Sequence, residues 1–447
     1  MKRPLSFLFL SLFLVVTSHS QTQNTKAIIG GTVIDGAARA PIKDAVIIIE
    51  GARIKEVGAR NKMKIPKGAY IIDAQGKFVI PGLADMHNHL GDGSFNFAQQ
   101  DPKKNLAELL AWGITTVFDT AIDMKSFSEF KKISAEDTAS YPRFFAVGRQ
   151  FGAKGGWGSF QGGYTPDTPD EARAAVREMK SANVDAIKIV YDDMSWLTKR
   201  TMPMLKPEVM GAIIDEAHQQ GLRAYVHAPI LKYAREALRA GADGFVHGII
   251  SDPVDDDFVT SMKKNRAVYI ATLVLFEACA DLAGWSQRER AFDDRGIINK
   301  EVYDMLSSPA TIKQWVTGWN NIPYTKERMA TLRANLKKLS DAGVPVITGT
   351  DTGVPGVLLG VSSQMELTLM AEAGLKPEEV IRAATINAAR MIGREKDLGS
   401  IEAGKLADLV ILDANPLADV RNIRRTYRVM KGGVLYDPAQ LFQTKAK

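Results

Sequence analysis

The stretch VIPGLADMHNH, residues 79–89, joins a short apolar run to a pair of histidines two positions apart. Within it, residues 83–89 have the length and apolar content of a buried β-strand. Side chains two positions apart on a strand point to the same face, so His87 and His89 can approach one ion together. By itself such a pair is weak evidence for a metal site, and its meaning depends on the rest of the chain.

Further strand candidates follow this stretch, and amphipathic segments with helix start and stop signals separate most of them. Apolar runs that alternate with helices are typical of βα units and a parallel sheet. Eight such strands close a barrel. We therefore predict an α/β protein built on a (β/α)8 TIM-like barrel at residues 81–395. Its predicted strands are residues 83–89, 115–119, 144–147, 186–190, 224–227, 244–247, 268–271 and 346–350.

The two ends of the chain differ from this middle part because turns, rather than helices, separate their short β-rich runs. At the C-terminal end, Gly432 and Gly433 connect residues 426–430 to residues 434–436 as a hairpin turn. We predict that residues 21–80 and 396–447 together build one small composite β-sandwich.

The connection between the seventh and eighth barrel strands is far longer than one helix needs. It contains several helical patterns and the aromatic residues Trp285, Trp315 and Trp319. Active sites of such barrels lie at the carboxyl ends of the strands. We therefore predict that this insertion, residues 276–343, is a lid.

The first residues have the pattern of an export signal. Lys2 and Arg3 precede an apolar run, and the small residues Ser18 and Ser20 stand before the expected cleavage site. We predict a signal peptide at residues 1–20 and a periplasmic or secreted mature protein. The apolar run is shorter than the roughly 20 residues that span a bilayer, so we expect no stable membrane anchor.

Composition argues against two other classes of protein. The only cysteine is Cys279, which excludes an internal disulfide framework, and we expect this residue to be structural. The formal net charge is +6 over 447 residues, and without a long basic run it does not indicate a nucleic-acid partner. The expected partner is a small-molecule substrate, and a homo-oligomer stays open.

Four more polar side chains lie inside barrel strands or at their carboxyl ends. His227 and His247 end the fifth and sixth strands, and Asp351 follows the eighth. Each has an ordinary alternative, as a core histidine or a helix cap. Lys188 lies inside the apolar fourth strand, where an amine is costly without a partner and where a core ion pair is the ordinary interpretation.

The order H-x-H, Lys, His, His, Asp over strands one, four, five, six and eight resembles the amidohydrolase superfamily, in the branch of imidazolonepropionase and the prolidase-like dipeptidases. Three motifs support the resemblance: VIPGLADMHNH at 79–89, GTD at 349–351 and GSIEAGKLADLVILD at 399–413. Together they extend the resemblance over essentially the whole chain after the signal peptide.

The resemblance implies a binuclear metal centre. Its six predicted ligands are His87, His89, Lys188, His227, His247 and Asp351. One divalent cation is assigned to the H-x-H pair with Asp351, and the second to the two later histidines. Lys188 is expected to be carboxylated and to bridge the cations together with a hydroxide. Zinc suits this imidazole-rich set, with manganese and cobalt left open. Lys188 and Asp351 are thus the predicted catalytic residues, with Asp351 as general base.

Two departures from the resemblance narrow the activity. Deaminases and imidazolonepropionase of this fold have a glutamate proton shuttle three residues after the strand-five histidine, where this chain has Ile230. Some of the dipeptidases have a carbonyl-polarising tyrosine two residues after that histidine, where this chain has Pro229. Tyr191, Tyr225 or Tyr233 would have to replace it.

Substrate contacts are expected from the loops that follow the strands. Arg149 and Lys154 follow the third strand, where a cation can hold a substrate carboxylate, although a plain surface loop is the alternative. Tyr191 and Tyr225 are further candidates. The predicted function is hydrolysis of a C–N bond in an amide or cyclic amide. The alternatives are an Xaa-Pro-type dipeptidase and a non-catalytic binding protein on the same fold.

Overall fold

The computed structural model describes residues 25–91, 101–298 and 300–443. The signal peptide predicted at residues 1–20 lies outside these ranges. Within them, every helix is too short or too polar to cross a bilayer.

The strands of the described residues, numbered in chain order, are β1 Thr25–Val33, β2 Ile42–Glu50, β3 Arg53–Ala59, β4 Tyr70–Asp73, β5 Phe78–Pro81, β6 Leu83–Asn88, β7 Ile114–Asp119, β8 Arg143–Ala146, β9 Ile187–Val190, β10 Ala224–His227, β11 Gly244–Phe245, β12 Val268–Ile270, β13 Val346–Ile347, β14 Leu409–Leu412, β15 Thr426–Lys431 and β16 Val434–Tyr436.

The α-helices are α1 Pro102–Ala111, α2 Met124–Glu136, α3 Pro169–Ser181, α4 Pro207–Gln219, α5 Leu231–Arg239, α6 Asp256–Lys264, α7 Leu273–Ala280, α8 Leu282–Phe292, α9 Lys300–Leu306, α10 Pro309–Gly318, α11 Ile322–Asp341, α12 Val361–Glu372, α13 Pro377–Ala383, α14 Ile386–Met391 and α15 Pro438–Gln443.

The barrel consists of two arcs of parallel strands. The first arc contains β6, β7 and β8, and the second contains β9 to β13. Backbone hydrogen bonds join the arcs on both sides. The Phe151 N–H donates to the Lys188 carbonyl over 2.9 Å, and the Met86 N–H donates to the Thr348 carbonyl over 3.0 Å. The sheet is therefore closed, and the predicted (β/α)8 barrel is confirmed.

Regular pairing in the later strands is shorter than the sequence predicts. β11 ends at Phe245 and β13 at Ile347, so His247 and Asp351 lie just beyond the ladder. Gly349 makes this arrangement possible, because a Cβ there would lie 2.8 Å from the Cβ of His87. A residue with a side chain at this position would push the eighth strand away from the first.

Helix α3 shows why the outer helices form. Its N-cap is Thr168, whose Oγ1 accepts a hydrogen bond from the Glu171 N–H over 3.3 Å, and Pro169 occupies the first turn. Its buried residues recur at helical spacing, so that one face packs on the barrel. They are Ala172, Ala175, Val176 and Met179.

Strands from both ends of the chain share one eight-stranded sheet. Its order is β16-β15-β14-β5-β1-β2-β3, with β4 beside β1. The C-terminal β14 runs antiparallel to β5, with Leu409 opposite Pro81. The sheet encloses a core of its own, whose members include Ile28, Val33, Ile47, Ile54, Val79, Ile411 and Met430. This architecture agrees with the composite β-sandwich expected from the sequence.

Helices α7 to α11 fill the long connection between β12 and β13. α11 is the longest of them at 20 residues and packs against α7. Trp315 on α10 and Trp319 just after it line the cavity at the carboxyl ends of the barrel strands. The insertion thus lies where a lid would lie, although its motion stays a prediction.

Candidate metal centre and active site

At the carboxyl ends of the barrel strands, a lone pair of His87 faces a lone pair of Asp351. The His87 Nδ1–H donates to the Val246 carbonyl over 2.6 Å, which assigns the proton to Nδ1. His87 Nε2 is then an acceptor, and it lies 3.0 Å from Asp351 Oδ1. Both atoms are buried without a hydrogen-bond partner among the described residues. Burial lowers the pKa of His87 to about 4, so the imidazole is neutral at neutral pH.

His89 approaches the same carboxylate oxygen from the other side. Its Nδ1 lies 3.2 Å from the Ala121 carbonyl oxygen, and its Nε2 lies 2.8 Å from Asp351 Oδ1. Burial by itself would raise the pKa of Asp351 and lower that of His89, but the contact between them shifts both pKa values the other way, and that of Asp351 lies well below its ordinary value. Asp351 is therefore an ionised carboxylate between two imidazoles.

His247 lies between His87 and His227. Its ring centroid is 4.5 Å from that of His87 and 4.4 Å from that of His227. Nitrogens of His87 and His247 and an oxygen of Asp351 all lie within 4.8 Å of one another, a spacing that one ion can bridge. Burial lowers the pKa of His247 well below its ordinary value, which keeps its imidazole neutral and available as a ligand.

His227 has a carboxylate partner that the sequence analysis did not identify. Its Nε2 lies 2.9 Å from Oδ2 of Asp192, a fully buried residue that follows β9. The same oxygen accepts a hydrogen bond from the Trp196 indole over 2.8 Å. Asp192 stands four residues after Lys188, and this spacing past a ligand-bearing strand was the available sequence signal.

Lys188 lies on β9 with 2 % of its surface exposed, and it lines the cavity. Burial lowers the pKa of its amine to about 8, while Asp351 and Asp119 attract the charged form. The neutral fraction at neutral pH is therefore larger than for an ordinary lysine. Only a neutral amine adds CO2, so this environment suits the carbamate that the resemblance implies.

Two more buried carboxylates, Asp85 and Asp119, lie on the first two barrel strands and accept hydrogen bonds from neighbouring segments. Asp85 accepts hydrogen bonds from the Ser363 hydroxyl over 2.6 Å and the Thr350 hydroxyl over 2.9 Å, and burial raises its pKa to about 6. Asp119 accepts from the Leu90 N–H over 2.6 Å, and burial raises its pKa to about 7. Neither residue was predicted from the sequence. Both accept hydrogen bonds from backbone N–H groups in or beside the H-x-H pair and so hold this segment in place.

A cavity of about 540 Å³ opens beside these groups. His89, Lys188, His227, His247 and Asp351 form its polar floor, and the fully buried His87 lies behind them. The structure thus brings all six predicted ligands to one end of the barrel. Cys279 also lines the cavity, and because burial raises the pKa of its thiol, it is a neutral wall residue.

The predicted substrate contacts need correction, because none of the four side chains lines the cavity. Arg149 stacks on the Tyr164 ring, 3.8 Å from its centroid, and Lys154 is exposed to solvent. The Tyr191 hydroxyl donates to Glu236 over 2.6 Å, toward α5.

Tyr225 points to the opposite end of the barrel, and its hydroxyl donates to the Met391 carbonyl over 3.0 Å. It stands two residues before His227, which places it about 7 Å lower along the strand. Tyr233, the remaining tyrosine considered, donates to Asp193 over 2.8 Å. The residues that do line the cavity include Gln150, Met194, Leu197, Trp315 and Trp319.

The chain is similar to known proteins in both sequence and fold. The model of the amidohydrolase family matches residues 78–435. Imidazolonepropionase from Shouchella clausii is 42% identical over 413 residues, which are 88% of this chain and 85% of that protein.

Two solved structures have the same fold. One is a Xaa-Pro dipeptidase with bound methionine, with a TM-score of 0.74 and 24% identity over 92% of this chain and 100% of that one. The other, a putative prolidase from Bifidobacterium longum, has a TM-score of 0.72 and 26% identity over 95% of this chain and 99% of that one.

Proposed function

Because this chain belongs to the amidohydrolase family, we propose that it hydrolyses an amide or cyclic amide of a small molecule with two divalent cations held by the six ligands described above. Metal-dependent hydrolysis of a C–N bond is the activity that the family establishes. The number and identity of the cations, the carbamate on Lys188 and the type of amide are the proposed details.

The pair formed by His87 Nε2 and Asp351 Oδ1 is the observation that carries the proposal. These two atoms are buried acceptors that lie 3.0 Å apart with no proton between them. They repel each other, and each has lost its hydrogen bonds to water on burial. A divalent cation held by His87 and Asp351 would remove this cost. The residues present therefore fit the cofactor that the family uses.

The ligands divide into two sets around Lys188. His87, His89 and Asp351 would hold one cation, His227 and His247 the second, and a carbamate on Lys188 would bridge the two. Zinc suits four imidazoles. When bound, the cations supply Lewis acidity and lower the pKa of water.

The chain's own residues supply proton transfer and shelter from solvent. The pKa of Asp351 lies well below its ordinary value, so its carboxylate is ionised and can accept a proton from the attacking water and return it to the leaving nitrogen. General acid–base transfer of this kind contributes roughly 10²- to 10⁴-fold to the rate. Buried indoles and aliphatic side chains around the cavity exclude competing water.

The prolidase-like alternative is favoured by structural neighbours that carry those names. Against it, Pro229 stands at the position of the dipeptidases' tyrosine, and the hydroxyls of Tyr191 and Tyr233 are bonded to Glu236 and Asp193. Imidazolonepropionase activity itself is disfavoured because Ile230 stands in the position of the proton-shuttling glutamate. We therefore keep the broader amide hydrolase as the proposal.

Metal analysis of Lys188→Ala tests this proposal. We expect about two equivalents of metal in the wild-type protein purified with zinc and bicarbonate, and the loss of at least one equivalent and most activity in Lys188→Ala. The matched control is Lys154→Ala, which removes an exposed lysine outside the cavity and leaves both quantities unchanged. Wild-type protein without metal or activity would contradict the proposal and favour a non-catalytic binding protein, and an unaltered metal content in Lys188→Ala would contradict the bridging role of Lys188.

A further inference from the structure

The upper wall of the cavity is built from indoles and aliphatic side chains. The Trp319 ring lies 5.4 Å from that of Trp157 and 5.7 Å from that of Trp315, each pair in an edge-to-face arrangement. Met194 and Leu197 continue this surface. Ring distances of this size are typical of favourable aromatic packing, and a substrate ring can join such a cluster.

Within the described part of the chain, the cavity wall offers no positive charge beyond the metal centre. Among the described lining residues, the basic groups are Lys188 and three histidines, all of them in the metal centre. Asp123 adds a carboxylate to the wall. Residues 92–100, which follow β6 in the sequence, contain no lysine, arginine or histidine. A substrate carboxylate away from the scissile bond would therefore lose its water without gaining a cationic partner.

Neutral hydrogen-bonding groups complete the wall. Gln150 is buried and lines the cavity. Trp315 is 7 % exposed, and its indole Nε1–H has no acceptor within the described residues. Donors of this type suit a neutral acceptor such as an amide oxygen, because a buried N–H without an acceptor is costly.

We propose that the substrate is a neutral, aromatic amide without a free carboxylate, and that the tryptophan cluster of Trp157, Trp315 and Trp319 binds its aryl group. This inference rests on the proposed function for the position of the scissile bond. A volume of about 540 Å³ holds a molecule with one or two rings. Amino acid derivatives with a free carboxylate are the class that this surface disfavours.

A matched pair of substrates tests the charge preference. N-phenylacetyl-phenethylamine and N-phenylacetyl-L-phenylalanine differ by one carboxylate. With the zinc-loaded enzyme, we expect kcat/KM to be at least about tenfold higher for the neutral compound, a difference that corresponds to one modest desolvation penalty. Equal values, or a preference for the acid, would overturn the inference.

A tryptophan variant tests the aryl site. Trp319→Ala should raise KM for the neutral aromatic amide about fivefold or more while changing kcat less, and it should leave kcat/KM for N-methylacetamide nearly unchanged. The control is Val316→Ala, which alters an exposed residue beside the cluster on α10. Equal losses on the aromatic and the small amide would show a structural defect only and would reject the aryl site.

Equilibrium binding separates this inference from the proposed function. The two compounds are titrated into the zinc-loaded enzyme by calorimetry, whether or not they are hydrolysed. Tighter binding of the neutral compound without turnover would support the substrate class and reject the hydrolase mechanism. Turnover of both compounds without any preference in binding would support the hydrolase mechanism and reject the substrate class. If neither compound binds, the inference is overturned.

Discussion

The Asp192 carboxylate can select which nitrogen of His227 faces the cations. Asp192 Oδ2 already accepts the Trp196 indole N–H, so this oxygen is an acceptor and the 2.9 Å contact assigns the His227 proton to Nε2. Nδ1 then carries the lone pair. Partners of this kind orient the imidazole ligands of metal sites and increase their basicity. Asp192 is therefore a positioning residue for the second cation.

Asp192→Asn should weaken metal binding about 10- to 100-fold, because an amide holds the imidazole less firmly and does not increase its basicity. Competition with a chelator measures the affinity directly, independently of turnover. Asp193→Asn is the control, since this neighbouring carboxylate contacts Tyr233 and not a predicted ligand. Unchanged affinity in Asp192→Asn would remove the positioning role.

Among the site residues, the sequence predicts those whose position follows from a strand and misses those that lie in a loop. The six ligand candidates lie at or just beyond strand ends, so the barrel brings them together once the strands are identified. Asp192 was missed because it lies in the loop after β9. Tyr225 was wrongly placed because it shares a barrel-facing position with His227 but sits at the other end of the strand.

Among the elements, the clearest coupling joins α8 of the insertion to α12 of the barrel. Glu289 on α8 is fully buried and accepts a hydrogen bond from the Ser362 hydroxyl on α12. Its Oε2 has no partner among the described residues. Burial raises the pKa of Glu289 from the ordinary 4.5 to about 8, because ionisation would leave a poorly compensated charge inside the protein.

This contact predicts a pH dependence of stability. Below pH 4.5 the Glu289 carboxyl is protonated in both the folded and the unfolded chain. Between pH 4.5 and about 8 it ionises in the unfolded chain first, so its contribution to the free energy of unfolding falls as pH rises and levels off above about 8.

Glu289→Gln should make this fall smaller, because glutamine stays neutral throughout. Denaturant unfolding at about pH 5 and about pH 8.5 gives the two free energies for each protein. The control is Glu327→Gln on the exposed side of α11. If Glu289→Gln and the wild-type protein lose the same stability between the two pH values, the Glu289 carboxyl is not the cause.

Among the secondary-structure elements, the spacing of apolar residues predicts some strands correctly and misses others. All eight barrel strands were predicted, because apolar runs between helices leave few alternatives. β5 was not predicted as a strand of its own; it has four residues, and only Gly82 separates it from β6. The close contact of Gly82 with Thr115, whose Oγ1 would lie 2.2 Å from an added Cβ, is visible only in three dimensions.

For the whole molecule, we propose that the chain is exported through residues 1–20. Expression of the full chain in a Gram-negative host should deliver protein to the periplasm with Gln21 at its N-terminus. The chain that starts at residue 21, with an added initiator methionine, should stay in the cytoplasm. Mass spectrometry of the two fractions measures this. Full-length protein with residues 1–20 intact, recovered from the membrane fraction, would indicate an anchor instead.

The β-sandwich makes the two ends of the chain depend on each other. β14 lies between β5 and β15 in the shared sheet, and Leu409 and Ile411 are buried there. A chain that ends at residue 395 would leave β5 and its core without their partners, close to the H-x-H pair that follows in the sequence. We therefore expect this truncated chain to aggregate or to lack a cooperative unfolding transition.

Co-production of the missing C-terminal segment with the truncated chain is a more direct test. Residues 396–447, produced in the same cells as a separate chain, should restore soluble protein because the β5–β14 pairing needs no covalent connection. The control ends at residue 443, retains every strand and should unfold as the full chain does. If the chain that ends at residue 395 folds cooperatively and binds metal by itself, the barrel does not require the composite sandwich, and the predicted domain boundary at residue 396 separates two independent units.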